Sequence, residues 1–317
     1  AGTGGGSAQV RAQVRREVVI SGKRVKTVDI HAHCIVPEAA QLINHSLEAP
    51  GLLWSNISDR LAQMDQTGVD VQALSINPYW YRAERDAVAE LIRVQNEALA
   101  EFCASDQDRF VAFATAALQY PDLAAEQVEQ AVKTFGFRGI GVGGSVAGEE
   151  LANPKFHPFW AKCEDLGVLV FMHPLGTREL EPSGRLSGNG LLTNTIGNPL
   201  ETTIALSHLI VEGTLDRFPG LKICASHGGG FLPSYANRSD AVITTFPDRV
   251  GSLPSKKPTE YIQGGQLYFD SIMFTDEGMR HLIAEAVIDH DFLGTDYPFP
   301  WHTASYAHVM SIPWLSF

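Results

Sequence analysis

The sequence predicts an α/β fold of the (β/α)8 type, a TIM-type barrel, on two observations. Strand-like and helix-like patterns alternate eight times along the 317 residues, and eight such repeats are what closes this kind of barrel. The predicted strands are continuous apolar runs, which is typical of parallel strands covered on both faces. A doubly wound sheet carries a Gly-rich phosphate fingerprint after its first strand, and this sequence has none there.

The elements follow one another in regular order. Predicted strands cover residues 26–30, 71–76, 110–117, 138–142, 168–172, 221–226, 267–272 and 292–295. Predicted helices cover residues 57–66, 84–104, 157–166, 232–245 and 277–286, with further helices after Pro121 and from Asn198. In the first of these helices, Ile57, Leu61 and Met64 recur at helical spacing. The run Asn198-Pro199-Leu200-Glu201 reads as a capping-box-like helix start.

The two ends of the chain depart from this rhythm. Residues 1–24 contain glycines and arginines without the apolar stretch of a signal peptide, so we expect an N-terminal extension or arm. Residues 25–317 show no linker or shift in composition and are expected to form one domain. After the eighth strand only residues 298–317 remain, enough for one helix or lid, so the C-terminal end of the barrel is expected to be short.

The amino-acid composition disfavours some kinds of binding partner. The net charge of −12 disfavours a nucleic-acid or anionic-membrane surface, although local arginines can still bind a small acidic substrate. No apolar run approaches the roughly 20 residues that cross a bilayer. The four cysteines, Cys34, Cys103, Cys163 and Cys224, are scattered without a C-x-x-C pair. Buried free thiols and a cytoplasmic location are therefore expected.

Five reactive side chains occur where predicted strands end. His31 and His33 share one face of the first strand because residues i and i+2 point the same way. His173 follows the fifth strand, His227 the sixth and Asp296 the eighth. Active sites of such barrels lie at the carboxyl ends of the strands. The sequence thus predicts one site at that rim, with the two neighbouring imidazoles as half of a metal site.

Several motifs at these positions carry a family resemblance. The segments VDIHAHC, MHP, ASHGGG, Asn237-Arg238 and LGTDYPFP resemble the amidohydrolase superfamily. Within it they are most similar to the decarboxylase branch that includes the 2-amino-3-carboxymuconate-6-semialdehyde decarboxylases. The resemblance implies that His227 is catalytic and that one divalent metal is bound by His31, His33, His173 and Asp296. It also implies that Arg238 reaches a substrate carboxylate from a neighbouring subunit, hence a homodimer or larger homo-oligomer.

The candidate ligands limit the number and the kind of metal ions that the site is expected to bind. Binuclear relatives carry a metal-bridging lysine at the end of the fourth strand, where this chain has Gly141-Val142-Gly143-Gly144, which favours a single ion. Three imidazoles and one carboxylate make zinc the first expectation and manganese the alternative. Asp296 is expected to take part in proton transfer as well as in metal binding.

The loops around the rim supply candidate substrate contacts. Arg178 could hold a carboxylate, as Arg238 could. Trp54 and Trp80, with Tyr79 and Tyr81, lie on the loops after the first two strands and are expected to form an aromatic wall. Core packing or a subunit contact is the alternative for each aromatic residue, and a surface ion pair is the alternative for the arginines.

Together these features predict a metal-dependent, non-oxidative decarboxylase, a carbon–carbon lyase. Its expected substrate is a small carboxylated aromatic or muconate-like compound, from which it releases carbon dioxide. The alternative is a metal-dependent hydrolase or hydratase of the same superfamily, acting on a lactone, an amide or a double bond.

Overall fold

The structure is a computed structural model that describes residues 15–53, 57–249, 251–252, 254–301 and 306–312. Eight parallel strands form two sheets. The strands are β1 (Val28–His33), β2 (Val71–Ser75), β3 (Phe110–Ala112), β4 (Gly139–Val142), β5 (Leu169–Met172), β6 (Lys222–Ala225), β7 (Leu267–Asp270) and β8 (Asp291–Phe292). One sheet has the order β1-β2-β3, and the other runs β4-β5-β6-β7-β8.

Backbone contacts join the two sheets into a ring. A bridge between Ala114 and Ile140 links the end of β3 to β4. At the other side the N–H of Ile30 donates to the carbonyl of Leu293 at 2.8 Å, and the N–H of Asp296 donates to the carbonyl of His31 at 2.8 Å. The strands therefore follow one another around a closed ring in chain order, and the prediction of a (β/α)8 barrel is confirmed.

Helices surround this ring. They are α1 (Pro37–Gln41), α2 (Ile57–Thr67), α3 (Arg85–Ser105), α4 (Pro121–Phe135), α5 (His157–Leu166), α6 (Asn198–Val211), α7 (Thr214–Arg217), α8 (Leu232–Thr245), α9 (Pro258–Gln263), α10 (Asp276–Ala286) and α11 (Tyr306–Ser311). Each long helix buries one stripe, as α3 does with Val88, Leu91 and Leu99. None of the helices in the described ranges is both long and apolar enough to cross a bilayer.

Apolar side chains fill the space inside and outside the strands. A large buried cluster lies between the strands and the helices, and a smaller one contains Ala73, Phe113, Phe171 and Cys224. Gly139 makes room for Phe113, since a Cβ at residue 139 would lie 2.5 Å from that ring. All four cysteines are free thiols as expected; Cys34, Cys163 and Cys224 are buried, whereas Cys103 is only half-buried.

Predicted and observed boundaries differ most where the chain leaves a strand. The first strand extends to His33, while the third and eighth strands are only three and two residues long. A hairpin of Val18–Ile20 and Lys23–Val25 crosses the predicted boundary at residue 24. Arg15 and Arg24 from this segment bind one carboxylate oxygen of Asp70, at 2.5 and 2.7 Å, and so fasten it to the barrel.

The predicted capping box at residue 198 is wrong. A π-helical turn, Thr193–Gly197, leads directly into α6, and no side chain caps the helix. Glu201 turns instead toward the loop after β5, where its carboxylate accepts backbone N–H groups of Leu175 and Gly176.

Candidate active site

Four of the five predicted rim residues bring donor atoms to one point. The Nε2 atoms of His31 and His33 are 2.9 Å apart. Oδ1 of Asp296 lies 3.2 Å from the first and 3.0 Å from the second. With a ring nitrogen of His173 added, the four donor atoms all lie within 4.8 Å of one another. Three imidazoles and one carboxylate at this spacing form a set that could hold one divalent ion.

The opposite nitrogen of each imidazole already has a partner. Nδ1 of His31 lies 2.5 Å from a carboxylate oxygen of Asp270, and Nδ1 of His33 lies 3.3 Å from the hydroxyl of Ser75. Nδ1 of His173 lies 2.9 Å from the carbonyl oxygen of Pro174. In a neutral imidazole only one nitrogen carries hydrogen, so these contacts direct the Nε2 lone pairs toward the cluster.

The electrostatics of the cluster favour a bound positive charge. Burial raises the pKa of Asp296, but His31 and hydrogen bonds from the histidines outweigh it and hold the pKa well below its usual range. Burial lowers the pKa of His31, yet the charges of Asp296 and Asp270 raise it to about 10. Burial lowers the pKa of His33 to about 4 and that of His173 further. His33 and His173 thus stay neutral beside an ionised carboxylate, as metal ligands must, and a bound ion would take the place of the proton that His31 carries.

His227 reaches the same point from a distorted turn after β6. Its backbone has φ of 54°, and Gly228, Gly229 and Gly230 follow at 61°, 74° and 66°. A Cβ on the last glycine would lie 2.3 Å from the carbonyl oxygen of Pro199, which explains why residue 230 is glycine. Nε2 of His227 lies 3.9 Å from Oδ2 of Asp296, and one fifth of its side chain is exposed. A non-glycine residue in this conformation is strained, and such strain concentrates at functional sites.

Buried polar groups hold β1 against the end of β8. One oxygen of Asp29 accepts the N–H groups of His31 and Thr295, at 3.1 and 3.0 Å, and the other accepts the Thr295 hydroxyl at 2.6 Å. Arg60 donates to the carbonyl of His33 at 2.7 Å. These bonds fix the backbone that carries two of the four donor residues.

A cavity of about 580 Å³ opens above the cluster. His173, His227 and Asp296 line it, together with Tyr79, Tyr81, Arg82, Phe299 and Trp301. The indole N–H of Trp301 donates to Oδ2 of Asp296 at 2.6 Å, so this carboxylate faces His31 and His33 with Oδ1, and Trp301 and His227 with Oδ2.

The structure places one predicted substrate contact elsewhere and does not describe the side chains of two others. Trp80 is wrong as a wall residue, because it is completely buried and its indole N–H donates to the carbonyl of Ala116 at 2.9 Å. Its neighbours Tyr79 and Tyr81 line the cavity in its place. Trp54 lies outside the described residues. Arg178 begins a short 3-10 helix after β5, and its side chain is also outside what the structure describes.

Arg238 stands apart from the cavity of its own chain. It is exposed on α8 and is not among the lining residues. A contact between Arg238 and substrate therefore remains a prediction that requires a second subunit.

Sequence reasoning missed Asp270 and Trp301. Asp270 is completely buried at the end of β7, where an acidic residue closing an apolar strand could have served as a signal. Besides His31, its carboxylate accepts the N–H groups of Gly228 and Ile272, at 3.0 and 3.1 Å. Trp301 gave no such signal, because its role depends on how the chain turns after Asp296.

The closed barrel, and the convergence of three histidines and one aspartate at its carboxyl rim, define a barrel protein with a candidate mononuclear metal centre. Residues 28–310 match the model of the amidohydrolase family, and the chain belongs to that family. Its curated relatives place it with the decarboxylase branch.

Two curated relatives and one solved structure illustrate the similarity. The 2-amino-3-carboxymuconate-6-semialdehyde decarboxylase of Dictyostelium discoideum is 30% identical over 76% of this chain, and the match spans 66% of that relative, just under two thirds. The gamma-resorcylate decarboxylase of Rhodococcus jostii is 28% identical over 86% of this chain and 88% of its own length. A solved 2,6-dihydroxybenzoate decarboxylase, in complex with 2,6-dihydroxybenzoate, is 28% identical, with a TM-score of 0.74 over 86% of this chain and 89% of that one.

Proposed function

We propose that this chain is a metal-dependent, non-oxidative decarboxylase that releases carbon dioxide from a small carboxylated aromatic compound. The observation that carries the proposal is the convergence of four donor atoms beside His227 on the wall of an open cavity. The activities named for its relatives support the same reaction class, a carbon–carbon lyase acting on aromatic or muconate-like acids.

The residues proposed to hold the metal are His31, His33, His173 and Asp296. The donor set fits a divalent ion, because Nδ1 of each histidine is engaged elsewhere and Asp296 stays ionised. Bound there, the ion supplies positive charge that polarises an oxygen of the substrate. At the end of β4, Val142 is buried and two glycines follow, which supports a single ion.

Zinc and manganese both suit this set. Zinc is the first expectation from three imidazoles and one carboxylate. Manganese gains support from a solved dihydroxybenzoic acid decarboxylase of Polaromonas with bound manganese, which is 24% identical to this chain with a TM-score of 0.74. Metal analysis of the purified protein, and activity after reconstitution with each ion, separate the two.

The proposed chemistry exchanges carbon dioxide for a proton. The bond between the ring carbon and the carboxylate breaks, its electron pair stays on the ring carbon, and one proton forms the new C–H bond. His227 faces the cavity and is proposed to hold and deliver that proton, with Asp296 at 3.9 Å as its partner in proton transfer. A positive charge beside the carbon stabilises the electron pair that develops there.

A second subunit is proposed to complete the site. Arg238 shares one face of α8 with Tyr235 and Val242, which are 59% and 42% exposed. This exposed apolar stripe supports a homodimer or larger homo-oligomer in which Arg238 enters the neighbouring cavity. Mixing an inactive Arg238→Ala protein with an inactive His227→Ala protein should restore part of the activity, since hybrid dimers contain one intact site. No recovery after subunit exchange, with exchange itself verified, would count against a shared site.

The four free cysteines support a reducing compartment such as the cytoplasm as the working location.

One experiment distinguishes the decarboxylase from the hydrolase. Metal-replete protein is incubated with 2,6-dihydroxybenzoate and related hydroxylated benzoates, and carbon dioxide and the decarboxylated product are measured. Equal amounts of the two are expected. Turnover of lactones or amides without carbon dioxide release would instead establish the hydrolase alternative.

A further inference from the structure

One buried carboxylate near the cluster has no part in the chemistry above. Glu201, on α6, is 5% exposed. Its Oε2 accepts the N–H groups of Leu175 and Gly176, each at 2.6 Å, and its Oε1 accepts the hydroxyl of Ser145 at 3.0 Å. Glu201 therefore ties the loops after β4 and β5 to the start of α6.

A single peptide unit connects Glu201 to His173. The peptide between Pro174 and Leu175 accepts a hydrogen bond from Nδ1 of His173 through its carbonyl, at 2.9 Å. Its N–H donates to Oε2 of Glu201, at 2.6 Å. Hydrogen bonds at the two ends of an amide strengthen each other, because the first shifts electron density toward the carbonyl oxygen. The negative charge of Glu201 thus makes the Pro174 carbonyl a better acceptor for His173.

The same cluster contains the direct form of this arrangement. Nδ1 of His31 lies 2.5 Å from the carboxylate of Asp270 without any group between them. Outer carboxylates of this kind fix the ring orientation and tautomer of a metal-binding histidine, and their loss weakens metal binding by about 10- to 100-fold. His173 has no carboxylate on Nδ1 among the described contacts, and the peptide supplies the missing connection.

We propose that Glu201 is a positioning residue that acts through the Pro174–Leu175 peptide to hold hydrogen on Nδ1 of His173 and to point Nε2 at the metal. This inference rests on the proposed metal site. It adds a second carboxylate-supported histidine to that site, with the support coming from α6.

The test compares Glu201→Gln with Glu212→Gln in a Mn²⁺ titration by calorimetry. Glutamine keeps the size of Glu201, and its amide oxygen can still accept both N–H groups, but the substitution removes the negative charge that strengthens the Pro174 carbonyl as an acceptor. We work at pH 8, because burial raises the pKa of Glu201 to about 7 and the carboxylate must be ionised. Glu201→Gln should weaken Mn²⁺ binding by about tenfold. Glu212, exposed directly after the last residue of the same helix and paired with His208, provides the matched change of charge and should leave binding as in wild type.

A second variant displaces Glu201 without removing its charge. A Cβ at residue 144 would lie 2.7 Å from Cγ of Glu201, so Gly144→Ala should push the carboxylate from the peptide and also weaken Mn²⁺ binding. Nitrogen-15 NMR of the imidazoles supplies a readout that support of the fold alone does not change. His173 should show the Nδ1–H tautomer in wild type and a mixture of tautomers in Glu201→Gln.

The outcomes distinguish the positioning role of Glu201 from the existence of the metal site. Wild-type Mn²⁺ affinity and an unchanged His173 tautomer in Glu201→Gln would overturn the positioning role, even if the thermal midpoint of the metal-free protein fell. Failure of the wild-type protein to bind Mn²⁺ or Zn²⁺ would overturn the metal site and the proposed function with it.

Discussion

Trp301→Phe tests whether the outer oxygen of Asp296 is held in place by the indole. The substitution removes the 2.6 Å hydrogen bond from the indole N–H to Oδ2 but keeps an aromatic ring. Hydrogen bonds to a charged group contribute about 1.5–3 kcal/mol. Because the Trp301 side chain is 39% exposed, we take the lower end of that range. A loss of about 1.5 kcal/mol corresponds to about tenfold weaker binding.

The assay is a calorimetric Mn²⁺ titration, with carbon dioxide release from 2,6-dihydroxybenzoate as a second measurement. Trp301→Phe should raise the Kd for Mn²⁺ about tenfold, because Oδ1 of Asp296 loses its fixed direction. Phe274→Leu is the control, since it removes the ring that contacts Trp301 at 5.3 Å and leaves the hydrogen bond intact. Wild-type affinity in Trp301→Phe, or an equal loss in both variants, would refute the reasoning.

Two further predictions concern the cluster and a buried carboxylate outside it. His31→Ala should lose the metal, whereas His227→Ala should keep it and lose turnover; elemental analysis that found full metal in His31→Ala would contradict the ligand assignment. Both oxygens of Asp291 are buried without a hydrogen-bond partner among the described residues, and burial, with the charge of Asp270, raises its pKa to about 7. Since the unfolded pKa is about 4, the folded protein binds this proton more tightly, and the stability that protonation confers is lost as pH rises through about 7. In denaturant melts with chelator present, the stability of Asp291→Asn relative to wild type should therefore rise between about pH 4 and pH 7 by on the order of 4 kcal/mol, since each of the three pKa units corresponds to about 1.4 kcal/mol. Asp289→Asn, at an exposed position, should show no such trend. If the stability difference between Asp291→Asn and wild type did not change with pH, the raised pKa of Asp291 could not be its cause.

Much of the fold could be predicted because the barrel repeats one pattern. Continuous apolar strands and amphipathic helices are local signals, and the bounds of α5 and α8 were predicted to the residue. The end of β1 and the short third and eighth strands could not be, since they depend on backbone pairing between distant segments. The capping-box start of α6 failed for the same reason, because Glu201 finds its partners in a loop 25 and 26 residues away.

The site was predictable to the extent that its residues end strands. His31, His33, His173 and Asp296 all lie at or just after the ends of the predicted strands, and the structure brings them together. Asp270 also ends a strand, yet its contact with His31 spans 239 residues and leaves no trace in local spacing. Trp80 failed because alternate residues of one aromatic run face different surroundings, so its neighbours line the cavity while it packs in the core.

Two of the backbone hydrogen bonds that close the barrel are made by the candidate ligands themselves. The N–H of Asp296 binds the carbonyl of His31, and the N–H of His33 binds the carbonyl of Tyr297 at 2.6 Å. His33 and Asp296 are 263 residues apart, so an ion bound by both would act as a cross-link across nearly the whole chain. Such a cross-link would lower the conformational entropy of the unfolded chain. It would lie where β1 meets β8, a strand of only two residues. Separation of the first strand from the last would also pull the candidate ligands apart.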